Sequence, residues 1–170
     1  MKMVGVNSVI LVVALGVFGN VLVTGAEEER ALFELTLQGL DVVNYWLLQD
    51  GELPAFGAEI FRSLYKGYSF YFANSYNQEF FNAHKSKYVP EYGGYCAWAI
   101  ADSSTLACIM REEWYIYQDR LFLFCNAEGK ANWLQDPDTY IAQSDAFWVD
   151  KYGTLRDGPY NTGAFCNATV

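Results

Sequence analysis

Apolar and polar positions change over in short runs along most of this chain, and turn residues separate them. Short strands and short helices are therefore predicted rather than a long-helix bundle. The exception comes first. Val9 to Phe18 is almost wholly apolar, and Val21 to Val23 extends it past Gly19 and Asn20. Lys2 precedes the run, and Thr24-Gly25-Ala26 followed by Glu27-Glu28-Glu29 ends it. Its uninterrupted core falls short of the roughly 20 residues a membrane span needs. The segment reads as a signal peptide, residues 1–26, cut after Ala26, in preference to an anchor. No later run is long enough to span a bilayer, so no transmembrane segment is expected after signal removal.

Residues 27–38 read as a charged arm that becomes strand-like around Leu35-Thr36-Leu37. Gln49-Asp50-Gly51 is a turn. Tyr65-Lys66-Gly67-Tyr68 joins two apolar runs as a hairpin, the second run being Phe70-Tyr71-Phe72. Ser75 with Gln78 three residues on is a capping-box pattern. The helix it opens would turn Tyr76, Phe80, Ala83 and Phe81 inward. A second passage repeats this order. Trp114 to Tyr117 is a strand, Gln118-Asp119-Arg120 turns, and Leu121 to Phe124 is a buried strand. Asn126 then caps a helix bearing Ala131, Trp133 and Leu134, and Asp136-Pro137 opens another through Tyr140 and Ile141.

The two passages align without a gap at a spacing of 52. Phe70 meets Phe122, Phe72 meets Phe124, Asn74 meets Asn126, Phe81 meets Trp133 and Tyr88 meets Tyr140. An internal duplication is expected, two ββα units packed into one small α+β domain, because either half alone is too small to bury its aromatic face. The domain would cover 39–148, with halves of about 39–90 and 91–148. Residues 149–170 form a loop-rich tail marked by Gly153, Asp157-Gly158-Pro159 and Gly163.

Composition narrows the chemistry. Hydrophobic residues make up 52% of the 170, enough for a core. The 20 Asp and Glu outnumber the 11 Lys and Arg, for a net charge of -9, which argues against nucleic acid as a partner. Signal removal leaves 170 - 26 = 144 residues and, with Lys2 lost, a charge of -9 - 1 = -10. A single histidine, His84, excludes His-rich metal sites; it reads as a solvated helix-end residue, with a third metal ligand or a pH switch as the sharper alternative. Asp41, Asp50, Glu52 and Glu59 are spread carboxylates rather than a catalytic pair. Gly93-Gly94 suits a tight turn or close backbone packing. No nucleophile, base and oxyanion hole come together, so an enzyme ranks third among the readings. Asn167-Ala168-Thr169 is a glycosylation sequon at Asn167.

Several stretches resemble a known family. Gly39-Leu40-Asp41-Val42-Val43-Asn44-Tyr45 is similar to the opening G-x-D-P-V-x-Y of secreted YHS-domain proteins. Tyr65-Lys66-Gly67 with Phe70-Tyr71-Phe72 resembles their Y-x-G-x-x-W-x-F. Tyr88 to Ala97 resembles their Y-A-P-x-Y-G-G-Y-C-A, and Trp114 to Leu123, Asp136-Pro137 and Phe147-Trp148 also match. The wider family resembles heavy-metal modules, some attached to copper-transporting ATPases, and so implies thiols for a soft ion such as Cu(I).

On that resemblance the metal-type cysteines of the first half would fall at Asn44, Ala73 and Asn77, none of them a thiol. At a spacing of 52 these land on Cys96, Cys125 and Gly129, which brings Cys96 near Cys125. The pair is either a structural disulfide, favoured in an oxidising compartment, a two-thiolate metal site, or two unpaired buried thiols. Cys108 and Cys166 lie outside the family pattern, and a bridge between them would pin the tail with roughly 3–4 kcal/mol of loop-closure stabilisation. Two functions follow. One is a secreted, extracellular or lumenal binding module for a metal ion (copper) or a small ligand. The other is a secreted disulfide-stabilised structural or interaction domain with an extracellular protein partner.

Overall fold

The computed structural model describes residues 33–163, 165 and 166. The expected cleavage site after Ala26 and the sequon at Asn167 lie outside these residues. The described chain is α+β. Its strands are β1 (Glu34–Leu35), β2 (Ala58–Tyr65), β3 (Tyr68–Phe72), β4 (Met110–Tyr117) and β5 (Arg120–Phe124). Its helices are α1 (Ser75–Ala83), α2 (Lys85–Tyr88), α3 (Ala97–Ser103), α4 (Ala127–Trp133) and α5 (Pro137–Tyr152). β1 lies parallel to β3, which pairs antiparallel with β2; β4 and β5 form a separate antiparallel ribbon. No helix among the described residues is long and apolar enough to cross a membrane.

The β2–β3–α1 and β4–β5–α4 passages start 52 residues apart, element by element (110 - 58, 120 - 68, 127 - 75). Their details agree. The hairpin turns use positive φ at Lys66 and Gly67 and at Gln118 and Asp119, which matches the twist of the flanking strands. Both first strands slip register at the same place, between Ala58 and Arg62 and between Met110 and Trp114. Asn74 caps α1 by accepting from the Asn77 amide, and Asn126 caps α4 by accepting from the Gly129 amide. The α1 cap is thus Asn74, one residue before the expected Ser75.

Each ribbon closes over one aromatic from its helix. Phe81 packs on Phe70 and Phe72 with centroids 5.0 and 4.9 Å apart, and Trp133 packs on Phe122 and Phe124 at 4.8 and 5.4 Å. A tyrosine from the first strand meets each edge-on, Tyr65 on Phe81 and Tyr117 on Trp133. Phe70, Phe72, Phe81, Phe122, Phe124 and Trp133 are all buried. The expected inward set was too wide. Tyr76 and Phe80 are 73% and 55% exposed, and Ala83, Ala131 and Leu134 also face outward. A helix of two turns offers one narrow stripe, and Asn77 with Phe81, or Gly129 and Lys130 with Trp133, fill it.

Two other expectations are corrected. The strand around Leu35-Thr36-Leu37 ends at Leu35, because Leu37 and Gln38 take left-handed backbone (φ 49° and 52°). The tail begins at Gly153, since α5 continues to Tyr152. It is held by more than the expected Cys108–Cys166 bridge. Tyr160 and Asn161 are buried, Trp148 Nε1 donates to the Asp157 carbonyl at 2.7 Å, and Lys66 pairs with Asp157.

Candidate functional site

The chain delivers Cys96 through a tight turn, Glu91–Gly94, in which Tyr92, Gly93 and Gly94 all have positive φ (52°, 63° and 82°). Gly93 permits it. A Cβ there would lie 2.0 Å from the Pro159 carbonyl oxygen, so only glycine lets the tail pass. Thr36–Gly39 makes the same turn in the first half, with φ 49°, 52° and 86° at Leu37, Gln38 and Gly39. Asn161 laces the two together. The Leu37 amide donates to its carbonyl, its own amide donates to the Gly93 carbonyl, and its Nδ2 donates to the Gly94 carbonyl.

Charge fixes the second turn from beneath. Glu91, 1% exposed, receives Arg120 at 2.7 Å and Arg156 on its other oxygen. Arg120 also grips both oxygens of Asp145, at 3.0 and 2.7 Å, and the Tyr92 hydroxyl donates to Asp145 at 2.7 Å. Burial and the Asp145 carboxylate raise the Tyr92 pKa, so the phenol stays a donor. Buried carboxylates persist where they are paired in this way.

Two residues after each turn stands an acceptor. In the first half it is Asp41, fully buried. Its Oδ1 accepts from the Val43 and Asn44 amides at 2.9 and 3.1 Å, and its Oδ2 from the Ala73 amide at 2.9 Å and Asn77 Nδ2 at 2.6 Å. In the second half it is Cys96, 1% exposed, whose Sγ accepts from the Cys125 amide at 3.2 Å. Cys96 precedes α3 but makes no cap hydrogen bond to it. Asp41 and Cys96 thus hold the same place after the turn, at a spacing of 96 - 41 = 55. Ala73 and Cys125, the strand-end donors, keep the spacing of 52 (125 - 73). The expected match of Asn44 with Cys96 is corrected accordingly. The three-residue difference lies just beyond the acceptors. Asp41 is five residues before Trp46, whereas Cys96 is two before Trp98, and the two tryptophans meet Tyr88 and Tyr140 edge-on, 52 residues apart.

Cys96 and Cys125 come together as expected, but as two free thiols; the expected disulfide between them is not formed. The hydrogen bond from Cys125 is the largest influence on Cys96 and lowers its pKa to about 7, with the backbone amides assisting and burial opposing. The same bond, with burial, raises the Cys125 pKa. Beside them lies a cleft of about 190 Å³ lined by Trp98, Ala99, Asn126, Glu128, Gly129 and Asn132 as well as both cysteines. It exists because Gly129 stands where Asn77 stands in the first half (129 - 77 = 52) and sends no side chain across to the acceptor.

The other candidates are placed apart. Cys108 and Cys166 form a disulfide with Cα atoms 5.1 Å apart, and the Cys166 amide donates to the Ile109 carbonyl. His84 is the exposed link between α1 and α2 and does not line the cleft. Among the described residues no group of three or more His, Cys, Asp and Glu is placed to hold a metal ion. Sequence reasoning missed the role of Asp41, which shows only when two neighbouring amides and two distant donors, the Ala73 amide and Asn77 Nδ2, converge on it. Comparisons with protein-family models, curated proteins and solved structures find no match to the chain.

Proposed function

We propose that this chain is a secreted YHS-like binding module, built from two duplicated ββα units, whose functional centre is the Cys96–Cys125 pair binding a soft monovalent metal ion, Cu(I). The observation that carries the reading is the pair itself: two unbridged thiols lining one open cleft, with the Cys125 amide donating to Cys96 Sγ and the Cys96 thiol biased toward thiolate. Thiolates are soft, polarizable ligands, and metal binding would displace the remaining Cys125 proton. Two thiols are a donor set for a soft ion content with two ligands. The common spacing of β2–β3–α1 and β4–β5–α4 supports the duplication, and the turn sequences Gly39-Leu40-Asp41 and Gly94-Tyr95-Cys96 support the family resemblance.

The second reading, a disulfide-stabilised structural or interaction domain, is favoured by the Cys108–Cys166 bridge. Thiol titration of the native, unreduced protein separates the two. The binding reading expects two reactive thiols that vanish on adding one equivalent of Cu(I) under a competing chelator. It also expects Cys125→Ala to lose to the same chelator. Absence of free thiols, or Cu(I) left wholly with the chelator, would leave the structural reading.

A further inference from the structure

We propose that Cys96 and Cys125 form a peroxide-reducing dithiol, with Cys96 as the attacking thiolate and Cys125 as the thiol that resolves it. The inference uses the site proposed above for Cu(I) but requires no metal. Its main support is the comparison of the two halves. Cys96 holds the place of Asp41: each stands two residues past a left-handed turn and accepts from the amide at the end of the following hairpin, Cys125 or Ala73. In the first half this socket holds a carboxylate, an acceptor-only group. It is therefore shaped for an anion, and the anion that cysteine can supply is its thiolate, the nucleophilic form.

The halves differ in what closes the socket. Asn77 Nδ2 seals Asp41 at 2.6 Å. Gly129 leaves the corresponding side of Cys96 to the cleft, which the Cys125 thiol also lines. The first socket is a structural lock. The second is open and carries its own resolving group. Size sets the reactant. Cys96 is 1% exposed at the floor of a cleft of about 190 Å³, which admits a small hydroperoxide and excludes the disulfide of a folded protein.

The steps balance. The Cys96 thiolate attacks one peroxide oxygen; an S–O bond forms as the O–O bond breaks, giving Cys96 sulfenic acid and hydroxide. Hydroxide takes up the proton that Cys96 gave when it ionised and becomes water. Cys125 sulfur then attacks Cys96 sulfur, its proton passes to the sulfenic oxygen, and a second water leaves. Two thiols lose two electrons to one peroxide and become a disulfide. A low-molecular-weight thiol would return the pair to the dithiol by two exchange steps.

The test uses metal-free protein with Cys108–Cys166 intact, a copper chelator throughout, and hydrogen peroxide as the probe. The expected result is loss of two thiols per peroxide, a product about 2 Da lighter, and a rate at least about tenfold above that of free cysteine at neutral pH. Cys125→Ser should stop at a sulfenic acid about 16 Da heavier and trappable by a 1,3-dione. Cys96→Asp, which places the first half's acceptor in the second socket, should keep the melting temperature and lose the fast reaction. Thiol loss no faster than free cysteine, or a fast reaction that survives Cys96→Asp, would overturn the proposal. Because copper is sequestered, neither result depends on the outcome of the Cu(I) titration.

Discussion

Replacing Asp41 by alanine tests whether the first socket is a lock. Asp41 is fully buried and accepts four hydrogen bonds, three from backbone amides and one from Asn77. Alanine removes every acceptor at once and leaves those donors facing a small void. A hydrogen bond to a charged group contributes about 1.5–3 kcal/mol, so four in full would sum to about 6–12 kcal/mol. The full sum is not expected, because Ala73 is exposed and its amide can recruit water. The expected loss is about 3–5 kcal/mol, or a fall in melting temperature of about 6–20 °C at about 2–4 °C per kcal/mol. Asp41→Asn keeps the shape but points an NH₂ at the Ala73 amide or at Asn77, and should lose about 2–3 kcal/mol. Asp41→Cys should fall between wild type and alanine, since sulfur fills the same place in the second half. Urea unfolding with unchanged m-values provides the measurement. An Asp41→Ala protein within about 1 kcal/mol of wild type would refute the reasoning that the socket is structural and anion-shaped.

Alkylation of Cys96 should follow an ionisation with a midpoint at about 7, and Cys125→Ala should move that midpoint upward, because the Cys125 hydrogen bond is the main cause of the shift. The folded value lies below the ordinary thiol value of 9.0, so this group's contribution to stability is present above 9.0 and is lost as pH falls through about 7. Unfolding at pH 6 and pH 8.5 should therefore differ more in wild type than in Cys96→Ser. Cutting the Cys108–Cys166 bridge by Cys166→Ser, which opens a loop of 58 residues, should destabilise the fold by about 4 kcal/mol in the chain-entropy picture; a melting temperature within 2–3 °C of wild type (about 1 kcal/mol) would contradict it. Gly93→Ala drives a methyl into the Pro159 carbonyl and should cost at least about 3 kcal/mol, whereas Gly51→Ala, with nothing within 4 Å of its Cβ, should cost about 1 kcal/mol. Equal thermal shifts in the two glycine variants would count against the tail's close approach.

The α+β class, the two hairpins, the aromatic anchors and the Cys108–Cys166 pairing were legible in the residues. Each rests on a local signal: Lys66-Gly67 at a turn, alternation around Phe70 and Phe122, an asparagine before each helix, and two cysteines left outside the repeated pattern. Helix facing was less legible. Tyr76 and Phe80 are as apolar as Phe81, and composition alone does not say which stripe a two-turn helix will bury; the sheet beneath it does. The acceptor site was half legible. Spacing brought Cys96 to Cys125, but it matched Cys96 with Asn44, because a gapless overlay cannot register three residues fewer between Cys96 and Trp98 than between Asp41 and Trp46. Only tertiary structure pairs Asp41 with Cys96, since what they share is a place after a left-handed turn and a strand-end backbone amide. Amides are present at every residue and leave no mark in a sequence until the fold turns several of them toward one atom.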